Sequence, residues 1–207
     1  MKNFEDSNKK LKINQGSEIE ERIKNAFIAL YEDRPIEKIS IKMITDLAGL
    51  NRGTFYIHFI DIYDLREKIE REFFELIKEK VEGALVALFQ HGALMEALPD
   101  MDFYNEHKKY LQVLLCGFGK SQLGEMMKQE VKKSIQKNIT LSDEEDNIFT
   151  DYALEYLTSA MLGVLIHWIR HDMQPPMESL GKFITDITDM GSVSYLLKSV
   201  SLSSQNK

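Results

Sequence analysis

A chain of 207 residues, with 43% hydrophobic and 29% charged side chains, has the mix of a soluble globular protein and the length for one large domain or two small ones. Its net charge of −7 is unevenly divided: residues 1–60 hold ten Lys/Arg against nine Asp/Glu, and the remainder 16 against 24. That excludes the strongly basic footprint of a nonspecific nucleic-acid binder, so any such role must rest on local placement of charge.

Residues 1–16, with Lys2, Lys9, Lys10 and Lys12, are polar and mixed in charge and read as a flexible arm. They lack the apolar middle of a leader peptide, which points to the cytoplasm. No run of about 18 apolar residues appears, so no membrane span is expected. The single cysteine, Cys116, cannot form an internal disulfide and fits a reducing compartment.

Ile19, Ile23, Ala26, Phe27, Leu30 and Tyr31 recur at helical spacing, Ser17 and Glu20 have the form of a capping box, and Pro35 ends the element, which gives a helix over about 18–33. Ser40 caps a second helix whose shared face is Ile41, Ile44, Leu47 and Ala48, and Gly49 breaks it as a left-handed cap. Asn51 caps a short helix over about 52–58. Asp61 caps a long fourth helix with the stripe Leu65, Ile69, Phe73, Leu76, Ile77, Val81, Ala84, Leu85 and Leu88.

Beyond Pro99, segments 103–116 and 121–138 are again helical. Ser142 and Glu145 make another capping box, opening a long helix through Trp168 that Pro175-Pro176 stops. Pro176 suits the first turn of a last helix lined by Met177, Leu180, Phe183, Ile184 and Ile187. No strand pattern and no internal repeat is visible, so the chain is all-α with about nine helices.

Residues 40–58 carry the functional signal. Two short helices meet at Gly49, with Ile44, Leu47, Ala48, Leu50 and Phe55 available to pack them. That is a helix-turn-helix, in which the second helix is held stiffly at an angle and its first residues reach base edges in a major groove. Here that helix offers Asn51, Arg52, Thr54, Tyr56 and His58 outward.

From Ile19 to about Lys68 the chain resembles the DNA-binding domain of the Tet repressor family. The resemblance is carried by Ile44-Thr45-Asp46-Leu47-Ala48-Gly49-Leu50, then Gly53-Thr54-Phe55-Tyr56-Ile57-His58-Phe59, then Asp61 and Leu65. It implies that Lys42, Thr54, Tyr56 and His58 contact phosphates, with Ser40 also among the DNA-binding residues. Asn51, Arg52 and Gly53 would sit near bases, Arg52 being the best reader of a guanine edge. Ile62 stands where family members often carry a phosphate-contacting lysine, and Tyr63 beside it is the substitute.

The segment Ala160 to Ile169 followed by Met177 to Ile184 is similar to a C-terminal subclass with a glycine, a tryptophan and then a last helix. The resemblance implies an arm (1–16), a helix-turn-helix domain (17–62), an effector-binding and dimerisation bundle (63–190) and a tail (191–207). It implies a homodimer on double-stranded operator DNA, repression by occlusion, and an unidentified small-molecule effector.

Met161, Gly163, Val164, His167, Leu180, Phe183, Ile184 and Ile187 are the expected dimer interface, formed as a four-helix contact. Tyr110, Met126, Met127, Tyr152, Tyr156 and Trp168 are expected to line an effector cavity. His167 and His171 have the spacing of a metal pair, but nothing completes a ligand set, and a histidine suits a helix C-terminus. No metal, no cofactor and no enzymatic role is expected. The alternatives are a transcriptional activator, or an interaction module whose bundle binds a protein partner.

Overall fold

The computed structural model describes residues 18–91, 101–118, 122–138 and 146–189, with the side chains of 81, 83–91, 101, 138, 146–148 and 185–189 excepted. Among the described residues there are eight α-helices and no strand. They are α1 (18–31), α2 (Ile41–Ala48), α3 (Arg52–His58), α4 (Ile62–His91), α5 (Met101–Cys116), α6 (Gln122–Asn138), α7 (Asp146–Arg170) and α8 (Met177–Asp189). One 3-10 turn, Ile36–Lys38, follows α1. The capping signals at Ser17 and at Ser142 to Glu145, the N-terminal arm and the tail lie outside the described residues.

The chain divides into two compact units. One holds the residues up to Arg71 with 117–120, and the other holds Glu72–Cys116 and the residues from 121 onward.

In the first unit, helix boundaries follow local chemistry. The Ser40 hydroxyl accepts from the Met43 amide, the Asn51 side-chain oxygen Oδ1 accepts from the Thr54 amide, and the Asp61 carboxylate accepts from the Tyr63 and Asp64 amides. Each satisfies donors that a helix start leaves without partners. Gly49 takes φ +65°, and its amide returns to the carbonyls of Thr45 and Asp46. A side chain would be strained in that left-handed conformation.

Ile23, Phe27, Ile44, Phe55, Phe59 and Leu65 form the closed centre of this unit. Leu47 corrects an expectation, since it is exposed. The buried arc of α2 is centred on Ile44, Thr45 and Ala48, and Thr45 enters it because its hydroxyl donates to the carbonyls of Ile41 and Lys42.

In the second unit α7 packs against both α5 and α6. Ile135, Leu154 and Leu157 make one buried cluster, which Val131, Ala153 and Met161 extend. Glu155 ties α7 to α6 through Lys128 and Lys132. Trp168 is fully buried, edge-on to Tyr104, and its indole N–H donates to the Pro175 carbonyl at 2.8 Å. That bond fixes the turn between α7 and α8, where Asp172 and Met173 adopt positive φ and the Gln174–Pro175 peptide is cis.

The segment Phe149–Arg170 is, by length and composition, long and apolar enough to cross a membrane, contrary to the expectation that no such stretch exists. A long helix of such composition is either spanning or covered by protein along part of its surface. Here α5 and α6 cover one side.

Candidate nucleic-acid interface

α3 is held by what lies beneath it. Phe55 is fully buried and packs at a tilt against Phe59, which resists rolling of the helix. The turn before it is pinned from α1, where the Arg22 guanidinium donates to the Ala48 carbonyl at 2.6 Å and to that of Gly49 at 3.5 Å. α4 is joined by Glu20, whose carboxylate meets Lys24 at 3.2 Å and Lys68 at 2.8 Å. Burial pushes that carboxyl upward, but the hydrogen bonds and charges of the two lysines outweigh it and hold Glu20 below the usual range. Glu20 thus serves a tertiary cluster that joins α1 to α4.

The outward surface is Ser40, Lys42, Asn51, Arg52, Gly53, Tyr56 and Ile57, all exposed, with Tyr63 beyond them on α4 and Thr54 half-buried. Lys42 lies 3.6 Å from Asp46, both side chains about two-thirds exposed, a pair too weak to hold the ammonium. Arg52 has no ion pair among the described residues.

Two expected roles change. The Asn51 side-chain amide oxygen, Oδ1, accepts both the Thr54 amide at 2.9 Å and the Thr54 hydroxyl at 3.2 Å. The two-pronged contact by which asparagine reads adenine needs that oxygen, so Asn51 acts first as a cap. The His58 side chain is 15% exposed and faces Glu20 at 3.9 Å. It points into the α1–α4 cluster and not outward, because it follows the buried Phe55 by three residues and leans toward the same side.

In the second unit an open groove of about 610 Å³ is lined by Ala160, Gly163, Val164, His167, Trp168, Gln174, Pro175, Leu180 and Phe183. It gathers five of the eight expected interface residues. Met161 is the exception, since it faces the Ile135 cluster inside the chain. Ile184 is half-buried, and the side chain of Ile187 lies outside the description.

The expected effector residues do not converge. Tyr110 stacks on Phe73, Met126 and Met127 are half-buried on α6, and Trp168 is closed in. Tyr152 and Tyr156 stand 70% and 66% exposed, which corrects their assignment to an interior cavity. With Phe149, 67% exposed, and Gly163 they recur at spacings of three, four and seven, along the side of α7 opposite Leu154 and Leu157.

The imidazoles of His167 and His171 stack at 4.0 Å, and His171 donates from Nδ1 to the His167 carbonyl, a helix-end role. Among the described residues no cluster of three His, Cys, Asp or Glu has a metal-binding arrangement.

Residues 98–190 match a Tet repressor C-terminal family, described as a transcriptional regulator C-terminal region. The matched region is the second half of the chain, so the likeness is to the C-terminal part of Tet repressor-type transcriptional regulators. A curated relative, an uncharacterized HTH-type transcriptional regulator of Bacillus subtilis (strain 168), is 23% identical over 179 residues. The match takes in 81% of this chain but 44% of that relative, so the chain spans less than half the length of the protein it resembles. The crystal structure of a TetR transcriptional regulator from Streptococcus agalactiae 2603V is similar with a TM-score of 0.60 at 20% identity, over 86% of this chain and 97% of that one. That likeness agrees with the all-α fold. A dihydroxyacetone kinase operon activator superposes less well, with a TM-score of 0.47 at 19% identity over 89% of this chain and 97% of its own.

The roles of Arg22 and of the Glu20 cluster, and the exposure of Ile57, have no local signature in the sequence. Arg22 lies one helical turn before Ala26 on α1 and carries no local sign of its partner, 26 residues away. Ile57 lies between Tyr56 and His58, and nothing in its type announces an outward place.

Proposed function

We propose that this protein is a homodimeric repressor that binds near-palindromic operator DNA through α3 of each protomer, in the cytoplasm, and that a small molecule in the second unit modulates its affinity. The observation that supports it best is the outward face of α3, with Arg52 and Tyr56 exposed on a short helix fixed by Phe55, Arg22 and the Asn51 cap. Arg52 suits a guanine edge, and Lys42, Tyr56, Thr54 and Tyr63 suit phosphates. His58 supports α3 from behind.

The dimer would use the groove between α7 and α8 together with the exposed stripe of α7. Gly163 stands at its middle with nothing within 4 Å of where a Cβ would lie, which leaves room for a second helix to approach closely. A paired protein also meets a geometric demand, two α3 helices about 34–36 Å apart on successive major grooves. An effector in the second unit acts only by binding the two states of the protein unequally.

A mobility-shift assay on DNA from the protein's own promoter, at modest salt, tests this. A sequence-specific complex that an excess of unrelated duplex does not remove is expected. Absence of any such complex, with a partner protein retained on the bundle instead, favours the interaction-module alternative. A complex that raises transcription favours the activator.

A further inference from the structure

Phe55 is the buried anchor of α3, and on a helix the residues two before and two after an inward position point away from it. Those residues are Gly53 and Ile57, four apart and therefore one above the other on the same side. They form the midline of the outward face, with Arg52 and Tyr56 along one flank and Thr54 along the other.

Ile57 is 79% exposed on that midline. A lone exposed isoleucine is unremarkable on a protein surface. Its place on this helix is what matters, because the residue at the midline meets the floor of any groove that the helix enters. Gly53, one turn earlier, adds no side chain, and a Cβ there would come within 3.1 Å of the Asn51 side-chain oxygen Oδ1. That oxygen is itself occupied by Thr54. The centre of the face is therefore apolar and shallow, and polar readout is left to Arg52 at its edge.

In the major groove of B-DNA one base-edge group is apolar, the 5-methyl of thymine. We propose that Ile57 is a specificity-determining residue that packs on a thymine methyl in each half-site. This rests on the assignment of α3 as the DNA-reading helix and adds to it the base that the helix midline selects. Arg52 and Ile57 then read different chemistry, a guanine edge by hydrogen bonds and a thymine by contact.

The test uses the full chain and duplexes that it selects from a random library. Within the selected site each thymine is replaced singly by deoxyuridine, which removes the methyl and nothing else. Loss of one buried methyl is expected to weaken binding roughly fourfold at one thymine in each half-site. The variant Ile57→Ala is expected to bind the thymine and uracil duplexes equally at that position while keeping its preference for guanine elsewhere. Because Ile57 is exposed, the variant should match the parent in circular dichroism and unfolding midpoint, so lost discrimination is not lost folding. The proposal is overturned if no uracil substitution matters, or if Ile57→Ala still discriminates. Failure to select any sequence would instead overturn the proposed function.

Discussion

The Arg22 guanidinium and the Ala48 carbonyl oxygen, 26 residues apart in sequence, meet at 2.6 Å. The bond brings a charged donor to a carbonyl that the end of α2 leaves without a helical partner. Because Arg22 is largely exposed, its removal is expected to cost about 1 kcal/mol, the usual net worth of one hydrogen bond. Gly49→Ala is expected to cost about 1–2 kcal/mol, because the new side chain must sit at positive φ, and its Cβ would lie 3.2 Å from the Arg22 side chain. Urea unfolding midpoints measure both. An unchanged midpoint in Arg22→Ala would remove the pin from the account of how α3 is held.

Lys42→Ala should weaken binding to every duplex alike and reduce the salt dependence by about one charge. Arg52→Ala should relax base preference at one position in each half-site. Binding to a set of singly mutated operators at several salt concentrations separates the two. If both variants lose affinity uniformly, the division between phosphate and base contacts is wrong.

His58→Ala should lower stability without changing the salt slope of DNA binding, since the ring faces Glu20 and lies mostly covered. A reduced slope, like that of Lys42→Ala, would return His58 to the phosphate-contacting set.

Gly163→Leu should leave the protomer fold intact, because the position opens on empty space and leucine favours a helix. In the dimer the added side chain would occupy the room that a second helix needs. Sedimentation should show monomers where the parent sediments as dimers. A variant that stays dimeric places the interface elsewhere.

The Glu155 carboxyl is held down to about 2 by hydrogen bonds from Lys128, then Lys132 and Ser159. A folded value below the ordinary 4.5 means that the contribution is complete above about pH 4.5 and is lost as pH falls toward 2. The side chain is 48% exposed, so the effect should be modest and weakened by salt. Glu155→Gln should therefore be less stable than the parent at pH 7, with the gap closing through that window. A gap independent of pH would show that the carboxylate's charge is not what matters.

What could be read from the sequence was what short range decides. Ser40, Gly49, Asn51 and Asp61 act on groups within five residues of themselves, so residue type and spacing suffice to locate them. Facing directions were harder. Leu47 lost its place to Thr45, whose hydroxyl satisfies itself on its own helix, and nothing near His58 in sequence announces Glu20. Apolar residues are spread around the circumference of α7, so no periodicity assigns Met161 inward or Tyr152 and Tyr156 outward. Only the packing of α6 against it does so.

Trp168 is the chain's one tryptophan. It is buried against the α7–α8 groove, with its N–H on Pro175. The molecule therefore carries a built-in, label-free reporter at the place where a second copy or an effector would be felt. Events that open this turn should shift its emission toward the red, and events that seal the groove should shield it from an added quencher.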